Sequence, residues 1–188
     1  MTSTTVHPGN YVQELRPHLC RTEADPRPVV MMTSGVAGSG KSTLAHSIIS
    51  AYPSFKRFSI DWYIYSNHGL YGVDYPRQRY EEYQLEGEEA LRAELAATVE
   101  RGDVDVVLDF SFAFREVREA WKSLIEREGG RWVLVYLDVD AAELRRRVKA
   151  RNERVDKDGD SAFYMTDEIL ERYISGFERP VGEGEIVL

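Results

Sequence analysis

The chain has 188 residues, enough for one domain with a sizeable core, and a formal net charge of −8. That balance excludes a nucleic-acid footprint spread over the whole surface, although a local basic groove is compatible with it. The single cysteine, Cys20, excludes an internal disulfide, and no run is long or apolar enough to span a bilayer.

The N-terminus is polar where a secretory signal needs an apolar stretch, so a soluble, cytoplasmic protein is expected. Residues 1–28 carry Thr, Ser, Pro and charge, interrupted by a short amphipathic stretch, Tyr11, Val12, Leu15 and Leu19, and are expected to form a tail with one docked helix. Cys20 lies in this segment without a neighbouring pattern and reads as an inert thiol. From Val29 onward strand and helix patterns alternate. The strand candidates are Val29 to Thr33, Lys56 to Ile60, Val104 to Leu108, Arg131 to Leu137 and Glu185 to Leu188. Helical spacing appears in Leu91, Leu95 and Val99, and again in Val117, Trp121, Leu124 and Ile125. Asp140 followed by Glu143 resembles a capping box, so a helix is expected to start near Ala141. Thr166 opens another, with the stripe Ile169, Leu170, Tyr173, Ile174 and Phe177. This alternation predicts an α/β fold, a parallel sheet covered by helices on both faces, over residues 29–188.

Between the first strand and its helix stands Gly35-Val36-Ala37-Gly38-Ser39-Gly40-Lys41-Ser42, followed by Thr43. In a strand-loop-helix of this kind the glycines let backbone N–H groups curl around a polyphosphate, and the helix N-terminus adds its positive dipole end. Lys41 is expected to reach the β/γ-phosphates and the Ser42 hydroxyl to ligate Mg²⁺.

Ligands of such sheets collect beyond the carboxyl ends of the strands. The second strand is expected to end in Ser59-Ile60-Asp61 and the third in Leu108-Asp109-Phe110-Ser111. Asp61 is assigned as the base that accepts the proton of an attacking hydroxyl, and Asp109 as the metal-side carboxylate. The alternative for each is a cap on the next helix.

In the helix opened by Asp140, Leu144 and Val148 mark the inward face, so Arg147 and Arg151 lie beside that stripe and Arg145 and Arg146 away from it. Arg147 and Arg151 are assigned as phosphate clamps, against the alternative of snorkelling along the core. The polar stretch from Asn152 to Ser161 reads as a mobile lid, about 151–165, that closes water out. Its acidic residues lack the offsets of a calcium loop. Arg118 flanks the stripe of Val117 and Trp121 and is expected either to face the cleft or to form a surface ion pair.

Residues 62–83 are rich in tyrosine and hang over the acceptor side of the site, which suits a small ring-bearing or hydroxylated molecule. Tyr65 and Tyr71 are taken as substrate contacts, and Tyr80 and Tyr83 as packing beneath the next helix. Gly182-Glu183-Gly184 is a candidate resting place for the nucleotide base, with an ordinary turn as the alternative.

Gly35 to Thr43, Ser59-Ile60-Asp61, Val107 to Phe112 and Leu144 to Asn152 together resemble the small P-loop kinases of the AAA-type ATP-binding protein group, which is similar to polynucleotide kinases, zeta toxins, gluconate kinases and chloramphenicol phosphotransferase. The resemblance runs from about Val29 to the C-terminus. It implies a five-stranded parallel core, ATP and Mg²⁺ as phosphoryl donor, an acidic base at Asp61 and lid arginines at Arg147 or Arg151. One departure bears on the acceptor. Polynucleotide kinases of this group carry an arginine three residues after the base, where this chain has Asp61-Trp62-Tyr63-Ile64.

The expected activity is therefore transfer of the γ-phosphoryl group of ATP to a hydroxyl of a small metabolite or antibiotic-like molecule. The alternatives are a non-transferring nucleotide-binding switch, and a polynucleotide 5′-hydroxyl kinase that uses Arg115 or Arg118 in place of the absent arginine. A switch commonly needs a water-positioning Gln near the third strand, and none stands around Asp109.

Overall fold

The structure, a computed structural model, describes residues 8–188. Five strands form it: β1 (Val29–Ser34), β2 (Phe55–Phe58), β3 (Asp105–Leu108), β4 (Arg131–Tyr136) and β5 (Ile186–Val187). Their order is β2-β3-β1-β4-β5, and every pairing is parallel. The central strand β1 is buried at all six positions. Successive side chains of a strand point to opposite faces. Val30 and Met32 accordingly enter one core with Leu91, Leu95, Trp121 and Ile125, while Val29 and Met31 enter the other with Leu15, Leu19, Leu44 and Ile48. A strand sealed on both sides must be apolar throughout, which is why Val29 to Met32 reads as an unbroken run.

The helices are α1 (Pro8–Leu19), α2 (Lys41–Ala51), α3 (Ile60–His68), α4 (Tyr80–Arg101), α5 (Arg115–Arg127), α6 (Ala141–Asn152) and α7 (Asp167–Gly176). α1 and α2 cover one face of the sheet, and α4 and α5 the other. The helix expected in residues 1–28 is α1, with Leu15 and Leu19 buried, while the remainder of that expectation before Pro8 lies outside the described residues. The linker after α1 is tied down as well. Arg21 donates to Asp105 Oδ1 at 2.8 Å, and the same oxygen accepts the Val29 N–H at 2.8 Å.

The second strand is shorter than expected. It ends at Phe58 because the Ser59 hydroxyl accepts the Trp62 N–H and caps a helix that the sequence reading missed. Asp61 therefore stands in the first turn of α3 rather than on a strand tip. The capping expectations at Asp140 and Thr166 match the observed helix starts, since both side chains accept first-turn N–H groups. Glu143 does not reach back to complete a capping box and pairs instead with Arg146 and Arg147, which hold its carboxyl down at about 2.

Candidate active site

The phosphate loop leaves β1 and enters α2 through three glycines with positive φ, Gly35 at 154°, Gly38 at 85° and Gly40 at 106°. These are angles that L side chains rarely adopt. Gly40 is the N-cap of α2 and supplies no side-chain cap, so the first N–H groups of that helix remain available to an anion. Gly38 is also held sterically, because a Cβ there would meet Val148 Cγ2 at 3.0 Å and the Leu144 carbonyl at 3.2 Å. Arg147 clamps the loop from outside. Its Nη1 donates to the Gly38 and Ser39 carbonyls at 3.3 and 3.2 Å, and its Nε donates to Glu143.

Strand register brings the carboxylates to this loop. Leu108 pairs with Met32 of β1 and with Phe58 of β2, so the residues that follow all three strands emerge on one edge of the sheet. Lys41 donates from Nζ to the Val36 carbonyl at 3.1 Å, and burial lowers its pKa against the pull of Asp109 and Asp61. Asp61 opens onto the cleft yet is closely surrounded by protein. Burial and then the neighbouring Asp109 raise its pKa, while the Tyr80 hydroxyl, Lys41 and Arg151 oppose the rise. Tyr80 donates to Asp61 Oδ1 at 3.2 Å, and its own pKa is pushed well above the usual value, first by burial and then by Asp61. Asp109 is 7% exposed, and its Oδ2 accepts Arg57 Nε and Nη2 at 2.9 and 2.5 Å.

Arg151 closes the constellation. Its Nε and Nη2 are buried without a hydrogen-bond partner, as is the Ser39 hydroxyl, and burial lowers the arginine's pKa while Asp61 and Tyr80 raise it. A buried cation with unfilled donors is costly unless a ligand fills them. The groups surround a cleft of about 1200 Å³ that runs from the loop past Asp61 and Asp109 to Arg151, Arg154 and Arg172. Orphaned donors facing glycine-cradled N–H groups fit a polyphosphate. Among the described residues no three His, Cys, Asp or Glu side chains gather as a metal cage. A divalent ion here fits as one carried mainly by phosphate oxygens, with the Ser42 hydroxyl and Asp109 as protein donors.

Lys41, Ser42, Asp61, Asp109, Arg147 and Arg151 thus converge on one cleft. The rest of the loop, Gly35 to Gly40 and Thr43, lines it too, whereas the assigned substrate contacts Tyr65, Tyr71 and Arg118 do not. Tyr65 borders a recess of about 10 Å³ behind Asp61, room for one water at most. Tyr71 packs with its ring centroid 5.3 Å from Tyr80 and 4.5 Å from Phe163, one layer back from the cleft. Arg118 neither faces the cleft nor pairs at the surface. It is 0% exposed, bonds both oxygens of Glu183 at 2.7 and 2.6 Å, and donates to the Phe112 carbonyl at 2.9 Å. Its place is the foundation of the segment after Asp109, where Phe112 stands at a φ of 43°. Glu183 is buried in the same pair and Gly184 lies against Trp132, so Gly182-Glu183-Gly184 is not a wall of the cleft.

The sequence reading missed Arg57, Tyr80 and Gln84, of which the last two line the cleft from α4. Tyr80 was read as packing because it precedes an apolar stripe. Only the fold of residues 69–79 turns its hydroxyl to Asp61, and nothing local signals that. Arg57 left one signal, a charged residue in a short strand between two buried phenylalanines.

Several known proteins share this architecture. The AAA domain family model matches residues 30–180. No curated protein matches the chain in sequence. Among solved structures, a chain of the Pnkp1/Rnl/Hen1 RNA repair complex superposes with a TM-score of 0.62 at 18% identity, covering 80% of this chain. This protein spans only 44% of that longer chain. Kti12 of Chaetomium thermophilum, in complex with ADP-AlF3, gives a TM-score of 0.61 at 16% identity over 85% of this chain and 88% of its own. A sugar kinase of Janibacter sp. HTCC2649 gives 0.55 at 22% identity over 86% and 84%. Likeness at these identities concerns the fold. With four-fifths of its length in the family model and a parallel sheet built around a phosphate loop, the chain belongs to the AAA domain family and has a P-loop kinase-like fold.

Proposed function

We propose that the protein is an ATP-dependent phosphotransferase that moves the γ-phosphoryl group to a hydroxyl of a small molecule. One observation carries the reading: the buried, unpartnered N–H groups of Arg151 stand in the same cleft as the phosphate loop and the raised-pKa carboxylate of Asp61. Phosphoryl transfer depends mainly on positioning and charge neutralisation, and these groups supply both. The loop amides and Lys41 hold the donor phosphates. A magnesium ion carried by the nucleotide, with Ser42 and Asp109 beside it, supplies charge neutralisation. Asp61 orients the acceptor hydroxyl and takes its proton, and Arg151 neutralises charge on the transferred group. Arg147, through the Gly38 and Ser39 carbonyls, keeps the loop in its binding shape.

The small-molecule acceptor rests on what stands beside the base. The residue three places after Asp61 is Ile64, which is buried and apolar, and the tyrosines that line the cleft near Asp61 are Tyr80 and Tyr173. One structural relative is a chain of an RNA repair complex and another is a sugar kinase, so the fold by itself does not choose the acceptor. The −8 net charge and the apolar Ile64 favour the small molecule. The switch reading draws support from Gln84, a cleft residue able to position water.

Screening ADP release in the presence of sugars, nucleosides, aminoglycosides, peptides and a 5′-hydroxyl oligonucleotide tests the proposal. Release should be slow until one small hydroxyl compound is added. Stimulation by the oligonucleotide alone, or steady hydrolysis that no acceptor accelerates, would overturn it.

A further inference from the structure

Arg57, on the edge strand β2, has a side chain only 8% exposed and no part in the transfer chemistry outlined above. Both Nε and Nη2 donate to Asp109 Oδ2, and Nη2 also meets Asp160 Oδ1. Asp160 belongs to residues 153–166, which join α6 to α7 without regular secondary structure. Its other oxygen, Oδ2, bonds His46 Nε2 of α2 at 2.8 Å. One guanidinium is therefore shared between a carboxylate fixed at the end of β3 and a carboxylate carried by the lid. Burial works against the Arg57 charge, but Asp109 and Asp160 together more than offset it and leave its pKa above the usual value.

The rest of the lid closes over the acceptor side. Gly159 lies so tightly on Trp62 that a Cβ there would collide with the indole, and Phe163 packs 4.5 Å from Tyr80 between ring centroids. Asp160 is the lid residue with direct ionic ties to β2 and α2.

A cation shared by two anions attracts each less than it would attract one alone, because each meets a guanidinium already partly neutralised. We propose that Arg57 is a positioning residue that couples the charge on Asp109 to closure of the lid. When Asp109 is neutralised by a cation arriving with the nucleotide, Arg57 is left to Asp160 and holds the lid shut. By reciprocity, a lid that engages Arg57 leaves Asp109 freer for the cation. The couple lies among the protein's own side chains, and only the identity of the neutralising cation rests on the phosphotransferase reading.

Hydrogen exchange of the backbone amides of residues 154–163, measured on the full chain without nucleotide, tests it. Asp109→Asn, which removes the competing charge, should slow lid exchange by about threefold or more, while Asp160→Asn and Arg57→Met should speed it. The Asp109→Asn effect should vanish in the Arg57→Met background, and Arg57→Lys should restore part of it. If Arg57→Met does not fold, the Asp109→Asn effect should vanish equally in the Asp160→Asn background. Faster or unchanged lid exchange in Asp109→Asn, or an effect that persists without the shared partner, would overturn the coupling. In a parallel arm, magnesium with a non-hydrolysable ATP analogue should protect residues 35–43. Failure there counts against the nucleotide reading, whereas the Asp109→Asn comparison judges the coupling alone.

Discussion

The Tyr80 hydroxyl holds Oδ1 of Asp61 across 19 residues of sequence, at 3.2 Å, and in the proposed function Oδ2 is the oxygen that meets the acceptor. Burial raises the Asp61 pKa and this hydrogen bond lowers it, so Tyr80→Phe should move the titration of Asp61 higher still. A folded-state pKa above the ordinary 3.8 means that the native protein binds this proton more tightly than the unfolded chain. The resulting stabilisation is full below that value and is lost as pH rises through the raised folded pKa, and Tyr80→Phe should extend the loss upward. Carboxyl ¹³C NMR titration, with Asp61→Asn for assignment, checks both statements. A wild-type midpoint at or below 3.8, or a downward move in Tyr80→Phe, would contradict them.

Arg147 and Arg151, four residues apart on one face of α6, should fail differently. Arg147 touches loop carbonyls, so Arg147→Ala should raise KM for ATP by about tenfold, near 1.4 kcal/mol, with kcat little changed. Arg151 has buried donors waiting for charge, so Arg151→Ala should lower kcat by about 10²-fold or more. Steady-state kinetics with a responsive acceptor separates the two, and a pure KM effect at Arg151 would argue against its assigned role.

What the sequence disclosed follows from how local each signal is. The phosphate loop was legible because its function is carried by consecutive residues, and the sheet because a doubly buried strand such as Val29 to Met32 has to be apolar throughout. Helical periodicity set Arg151, with its buried donors, apart from Arg145, which is exposed in an ion pair with Glu171, but Arg146 and Arg147 share Glu143 and both border the cleft. It could not separate a cleft-facing arginine from a core-facing one. Arg118 was misplaced because its partner, Glu183, lies 65 residues away. Arg57 and Tyr80 depend on contacts of the same kind, through Asp160 and Asp61. Ser59 was the exception, since a serine three residues before an N–H it caps is a local signal, and an apolar neighbour, Ile60, obscured it.

The buried Arg118 pair gives a stability prediction that is separate from function. Arg118→Met strands Glu183, leaving Lys122 at 3.9 Å and the more distant Arg115 as cations near it, and removes a donor from the Phe112 carbonyl. The loss should be about 3 kcal/mol by denaturant unfolding. Nucleotide affinity of the folded fraction should remain unchanged, and a specific loss of acceptor binding would restore Arg118 to the cleft.

Helix α1 belongs to the domain by its packing, because Leu15 is 0% exposed and sits in one core with Leu44 and Ile48. Leu15→Ala should cost about 2–5 kcal/mol. A change below about 0.5 kcal/mol, the range of surface substitutions, would mean that α1 is a dispensable appendage.

Asp61→Asn tests the central assignment most directly, with magnesium-ATP binding followed by calorimetry and transfer of a labelled γ-phosphoryl group followed on the acceptor. The variant should bind nucleotide with the wild-type affinity and transfer at a rate lower by about 10²-fold or more. Wild-type transfer by this variant, or no magnesium-ATP binding by the unaltered protein, would contradict the account.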